Sequence, residues 1–186
     1  MRIEPEAAFR EALVVAVVAL AWMASFKGNT WLFSELEHSG RAHWIFLPAA
    51  LRLLAILMFG ARGALGLVLG SLVTALGTSG GDTLHEIVLA VSSGLLPWAA
   101  ISAGRALFNL PDNLSGIRAQ HIIAMCAMSA GANALGLNAY LWLAGRLAND
   151  PKQILTVFVG DLLGAAIVLF VVSTALALLM PSRPAR

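Results

Sequence analysis

Six long apolar runs separated by short polar turns dominate this chain: 9–26, 44–59, 63–78, 87–108, 119–143 and 154–180. A helix needs about 20 apolar residues to cross a hydrocarbon core of about 30 Å. In lipid, such a helix also satisfies its backbone N–H and C=O groups from within. The expected fold is therefore all-α, a single integral membrane domain over 1–186 built as a polytopic bundle of about six transmembrane helices. Runs 44–59 and 63–78 are short for such a core, which predicts helices that tilt little or thin the bilayer locally. Composition agrees: 59% of residues are hydrophobic and 12% charged, at a mean hydropathy of +0.83. Soluble domains carry about a quarter of charged residues. The six runs leave no room for a separate catalytic domain. A formal net charge of +2 is too small to imply nucleic acid. The single cysteine, Cys126, lies inside an apolar run, which excludes a disulfide framework and a cysteine-rich metal site.

The connectors set neighbours and orientation. Residues 27–43 form the longest loop and hold Lys27, Glu35, Glu37, His38, Arg41 and His43. Gly60-Ala61-Arg62-Gly63 is so tight a turn that the second and third helices should be antiparallel neighbours. Gly80-Gly81-Asp82, Pro111-Asp112-Asn113 and Asn149-Asp150-Pro151 mark the remaining turns. With an even number of spans, Arg2, Arg10, Arg62, Arg105, Arg118, Arg183 and Arg186 share the side of the termini. Lys27, Arg41, Arg146 and Lys152 face the opposite side, and Arg52 lies inside a helix. The excess of positive charge places both termini in the cytoplasm of a bacterial inner membrane. Arg2 and Arg10 before an apolar run also suit a signal peptide. The acidic Glu4, Glu6 and Glu11 and the length of the run favour a retained helix.

Two ionisable residues interrupt otherwise apolar helices, Arg52 and Asp161. Each would cost about 2.5–3.5 kcal/mol at a helix centre. Arg52 is eight residues past Trp44 and Asp161 eight past Gln153, so in the proposed topology both lie about 12 Å below the outer boundary. Matched depth predicts an ion pair with bidentate geometry open to the guanidinium. Such a pair either lines a polar pocket and biases a switch or only fixes how two helices pack. Asn133, near mid-depth on the fifth helix, either completes the cluster or makes an ordinary interhelical hydrogen bond. Asn138, five residues on, falls on another face. Thr74, Ser92, Ser93, Ser102, Ser129, Thr156 and Ser173 read as hydroxyls satisfied by their own helices. Gly66 with Gly70 and Gly160 with Gly164 permit close helix approach, within the subunit or in a homo-oligomer. Trp22, Trp31, Trp44 and Trp142 read as interfacial anchors, and Trp98 lies deeper beside Pro97, where a kink is expected.

Asp82, His85 and Glu86, with His38 and His43, are residue types a divalent metal accepts. Their spacing matches no zinc signature, and on exposed loops they read as solvated, so no metal site is assigned. No phosphate loop, nucleophile elbow or redox cysteine pair is present. The reading is non-enzymatic and calls for no cofactor.

The run Phe46-Leu47-Pro48-Ala49-Ala50-Leu51-Arg52-Leu53-Leu54-Ala55-Ile56-Leu57-Met58-Phe59-Gly60-Ala61-Arg62, followed by Gly66-Leu67-Val68-Leu69-Gly70, resembles the first MASE-type domain, an integral membrane sensor module of bacterial signalling proteins. That family also carries a Gly-Asp-x-x-Gly segment near its end, matched by Gly160-Asp161-Leu162-Leu163-Gly164. The sequence departs from the family at Leu47, usually proline, at Ala50, usually glycine, and at Arg52, usually small and apolar. Family domains have more spans and usually precede a kinase, cyclase or phosphodiesterase output domain, which this sequence lacks. The resemblance implies a sensory or scaffolding module with Asp161 as a candidate binding residue. The expected function is a membrane sensor that binds a small ligand or a partner membrane or signalling protein and relays a change in helix packing. Its polar centre is expected at Arg52, Asp161 and Asn133. Two rivals share its size: the substrate-binding subunit of an energy-coupling vitamin transporter, and a structural subunit of a membrane complex. Membrane lipids are partners in every case.

Overall fold

The computed structural model describes residues 5–39, 42–76, 82–146 and 152–179. Expectations resting on Arg2, Glu4, Arg41, Gly80, Gly81, Asn149, Asp150, Pro151, Arg183 and Arg186, and on the side chains of Glu37 and His38, lie outside the described residues. Most of the described residues lie in six helices: α1 (Pro5–Phe33), α2 (Pro48–Phe59), α3 (Ala61–Leu76), α4 (Thr83–Leu107), α5 (Ala119–Leu143) and α6 (Lys152–Leu179). A single 3-10 turn, Ser34–Leu36, and a small antiparallel hairpin, β1 (Glu37–Ser39) with β2 (Ala42–His43), join α1 to α2.

Helices α1, α4, α5 and α6 are each long and apolar enough to cross a membrane. Their outward faces carry apolar side chains, among them Phe9, Leu13, Val17 and Leu20 on α1 and Phe170, Val171, Leu178 and Leu179 on α6. Contiguous apolar surface of this kind suits lipid and not water. Helices α2 and α3, of 12 and 16 residues, rise only about 18 and 24 Å. Of the six expected spans, four are thus long helices, and the two expected to be short form a short pair.

The short pair is nevertheless the centre of the molecule. Consecutive helices α3, α4, α5 and α6 pack side by side, α1 packs on α3, and α2 touches each of the other five. Pro48, Ala49, Ala50, Arg52, Leu53, Ala55, Ile56 and Leu57 of α2 are buried, the pattern of a helix enclosed on every side. Gly60 makes the turn into α3 possible: its φ of 57° lies in the left-handed region, and its N–H donates to the Ile56 carbonyl at 2.8 Å. Every expected small-residue pair with a close approach works inside the subunit. A Cβ on Gly66 would stand 2.7 Å from Val18 Cβ, and one on Gly70 2.7 Å from the Ala19 carbonyl oxygen, so these glycines let α3 lie against α1. Pro97 sits inside α4, where its missing N–H removes one rung of the helix ladder.

Several expectations need correction. The loop 27–43 begins only after Phe33, because α1 runs on through Lys27 and Asn29. Helix α4 starts at Thr83, so His85 and Glu86 are not solvated loop residues but buried ones. Trp22 is 2% exposed and belongs to the core, not to an interfacial belt. Its ring packs with Phe26 and Phe46 at centroid distances of 6.5 and 6.1 Å, which offsets the loss of an interfacial position by burying a large aromatic surface.

Candidate functional site: a polar centre on three helices

The geometry of the core follows from how the chain enters α2. The stretch 43–47 is not helical and lies across α6 at Gly160 and Gly164. A Cβ at either glycine would overlap the carbonyl oxygen of His43 or Phe46. The Phe46 N–H donates to the Gly160 carbonyl at 3.0 Å, and the Leu47 N–H donates to Asn29 Oδ1 at 2.8 Å. The Asn29 side chain from α1 thus satisfies one of the donors that a helix start leaves open. Irregular backbone at membrane depth is tolerated where protein buries it, and here the α6 glycines and Asn29 do so.

This placement carries Arg52, on the next turn and a half of α2, to the level of Asp161 on α6. Arg52 donates from one terminal nitrogen, NH1, to Asp161 Oδ2 at 2.9 Å. Asn133 of α5 donates from Nδ2 to the same oxygen at 2.7 Å. All three sequence-selected residues therefore meet, each buried, each on a different helix. Both readings left open for Asn133 apply at once: it bridges helices by completing the cluster. The pair is not bidentate, because a single guanidinium nitrogen and a single carboxylate oxygen are engaged. Arg52 Nε is buried with no hydrogen-bond partner. Two aromatic rings hold the cation instead: its Cζ lies 5.1 Å from the Trp22 ring centroid and 5.0 Å from that of Phe46. Desolvated contacts of this kind contribute up to about 2 kcal/mol each.

Beside the carboxylate is a pocket of about 10 Å³ at the junction of α2, α5 and α6, room for about one water molecule. Asn138 is buried away from the centre and donates to the Ala134 carbonyl of its own helix at 2.7 Å, in keeping with its predicted different face.

A second polar group lies where the start of α4 meets the end of α5. Asp82 caps α4 by accepting from the His85 N–H at 3.1 Å, and Arg146 pairs with its carboxylate. The backbone donor first, and the guanidinium second, hold the Asp82 carboxyl below its usual 3.8. The His85 ring stacks on Tyr140, with Nδ1 2.7 Å from the phenol oxygen. Among the described residues no three His, Cys, Asp or Glu side chains converge to hold a metal ion.

Sequence reasoning missed Trp22, Phe46 and Asn29. A signal existed for two of them: Trp22 and Asn29 are seven residues apart, two helical turns, and therefore share a face of α1. That α2 docks on this face had no signature in the sequence. No protein-family model, curated protein or solved structure matches the chain.

Proposed function

We propose that this chain is a non-enzymatic, multi-pass module of the bacterial inner membrane, of sensor type, which relays a change in helix packing to a partner membrane or signalling protein. The observation that carries the proposal is the buried Arg52–Asp161–Asn133 centre. Ionisable groups inside a bilayer are costly and mark functional sites by default. This one joins α2, α5 and α6 through a single carboxylate oxygen. Loss of the Arg52–Asp161 contact would remove the polar tie of α2 to α6 and, through the shared oxygen, to α5. The aromatic faces of Trp22 and Phe46 give the guanidinium a second resting interaction when it leaves the carboxylate, as a two-state element requires. The resemblance of the 46–62 and 160–164 stretches to the first MASE type supports the same reading.

The same geometry supports a topology with α2 and α3 as a short antiparallel pair. The non-helical stretch 43–47 runs along about one turn of α6, from Gly160 to Gly164, and so adds about 6 Å to the 18 Å of α2. Arg62, at the α2–α3 turn, pairs with Glu11 near the start of α1 at 2.6 Å, which puts that turn at the level of the N-terminal side. An antiparallel pair would keep the parity of the spans even and both termini on one side, and the excess of Lys and Arg there supports the cytoplasm.

The vitamin-transporter reading is less well supported, since the pocket beside Asp161 has room for about one water and not for a vitamin-sized ligand. The test is native mass spectrometry of the protein extracted from its own membranes in a mild detergent. A membrane or signalling protein should copurify with the native chain and be lost, or bound more weakly, with a folded Asp161→Asn variant. Recovery of the chain with an ATPase module and a bound vitamin-like molecule would overturn the proposal in favour of transport.

A further inference from the structure

The hydroxyl groups on the helices separate into two kinds. Thr30, Thr74, Ser93, Thr156 and Ser173 each donate to a carbonyl three or four residues back on their own helix. Ser92, Ser102 and Ser129 do not, contrary to expectation. Ser92 is half-buried and Ser102 exposed, whereas Ser129 is 7% exposed, and among the described residues its hydroxyl makes no hydrogen bond. Being four residues before Asn133 on α5, it shares that residue's face, and it lines the pocket beside Asp161. On the carboxylate, Oδ2 accepts from both Arg52 and Asn133, whereas Oδ1 accepts from no described residue. Ser129 and Asp161 thus line the same small pocket, Ser129 Oγ and Asp161 Oδ1 making no hydrogen bond to a described residue, with the Cys126 thiol as a third, weaker group. Polar groups in such places commonly find their partner in an ordered water.

We infer that this pocket is a binding site for a single water molecule, held between Ser129 Oγ and Asp161 Oδ1, and that Ser129 is a positioning residue of the polar centre. The inference rests on the Arg52–Asp161 pair being the functional centre and names the small ligand that completes it. The volume admits one water, and a water needs two to four polar partners in such a place. It donates one hydrogen to the carboxylate and exchanges a second hydrogen bond with the serine hydroxyl. A metal cation does not fit. The guanidinium already compensates the carboxylate charge, and the alanine walls at Ala49, Ala130 and Ala165 offer methyl groups where a hard cation needs about six oxygens. Hydration of the free oxygen keeps the carboxylate satisfied on both edges while only one edge is tied to α2 and α5.

The test uses the full chain in lipid bilayers and solid-state NMR with magnetisation transferred from water. The carboxyl carbon of Asp161 should receive magnetisation several-fold faster than the side chain of Leu67, which is fully buried elsewhere in the core. Ser129→Thr, which keeps a hydroxyl, should retain the fast transfer. Ser129→Val, which puts a methyl in the pocket, should lose it. The inference is overturned if Asp161 in the native protein receives magnetisation only at the rate of Leu67, or if the fast transfer survives Ser129→Val. Should the valine variant fail to fold, the native protein decides alone. An infrared O–D stretch that moves on exchange into heavy-oxygen water belongs to water and not to a side-chain hydroxyl, and its absence refutes the site. None of these readouts involves a partner protein, so their failure is separate from failure of the sensor proposal.

Discussion

The coupling between Arg52 and Asp161 has a calculable size. In Arg52→Met the carboxylate keeps only the Asn133 amide, and the core loses a charge-assisted hydrogen bond of about 1.5–3 kcal/mol along with the Trp22 and Phe46 contacts. Removing one partner of a buried pair costs about 3–5 kcal/mol, because the other charge is left uncompensated. Asp161→Asn strands the guanidinium in the same way. Taking about 4 kcal/mol for each single variant, independent sites would give about 8 kcal/mol for the double variant. In Arg52→Met/Asp161→Asn no charge remains to be compensated, and close pairs couple by up to about 3 kcal/mol. The double variant should therefore lose about 5 kcal/mol. The assay is steric-trap unfolding of the four proteins in bicelles, where the helices stay in a bilayer-like solvent. Additivity within about 0.5 kcal/mol would refute the reasoning, as would single variants that each lose less than about 1 kcal/mol.

Exchanging the charges, as Arg52→Asp with Asp161→Arg, should recover only part of the expression lost in the single variants, because the rings that hold the cation surround position 52 and not 161; full recovery in immunoblots of membranes would contradict that. Gly160→Val should displace the 43–47 stretch, since any Cβ there overlaps the His43 carbonyl; thiol-probe access at Trp44→Cys, with Cys126 replaced by serine, should rise, while Gly131→Val, where a Cβ meets only Phe158 at 3.9 Å, should change it little. Asn133→Ala leaves the charge pair intact and removes one hydrogen bond, so it should cost about 1–2 kcal/mol in the same unfolding assay, well below either charge variant. The Asp82 carboxyl is depressed in the folded state, so its cap stabilises α4 above the usual carboxylate value of 3.8 and is lost as pH falls through the lower folded value. Amide exchange in the first turn of α4, corrected for intrinsic rate, should accelerate below that range, and Asp82→Asn should abolish the pH dependence.

The fold and the centre were legible to different degrees for physical reasons. Lipid demands that apolar runs be helices, so α5 was readable to its ends and the others to within about four residues of theirs, except that α1 runs seven residues past its apolar stretch, through the polar Lys27, Asn29 and Thr30. The depth argument worked for Arg52 and Asp161 because helical rise is fixed and both residues were counted from polar boundaries on the same side. It did not foresee that α2 would be the enclosed helix. Arg52 apart, its residues are as apolar as those of α6, and no composition distinguishes a helix ringed by protein from one ringed by lipid. Trp22 was misplaced for a related reason: tryptophan is favoured both at interfaces and over a guanidinium, and only the docking of α2 on α1 decides between them. Gly160 and Gly164 were visible as a close-approach pair, but what approaches is the irregular 43–47 backbone and not a second helix.

The claim that the polar centre is a two-state element can be tested most directly by electron–electron distance measurement between spin labels at Met58 on α2 and Phe170 on α6, both exposed, in bilayers and with Cys126 replaced by serine. The account predicts two distance populations in the native background, with their ratio shifted by Asp161→Asn. A single narrow distance, unchanged by that substitution, would contradict it and leave the pair as a fixed packing contact.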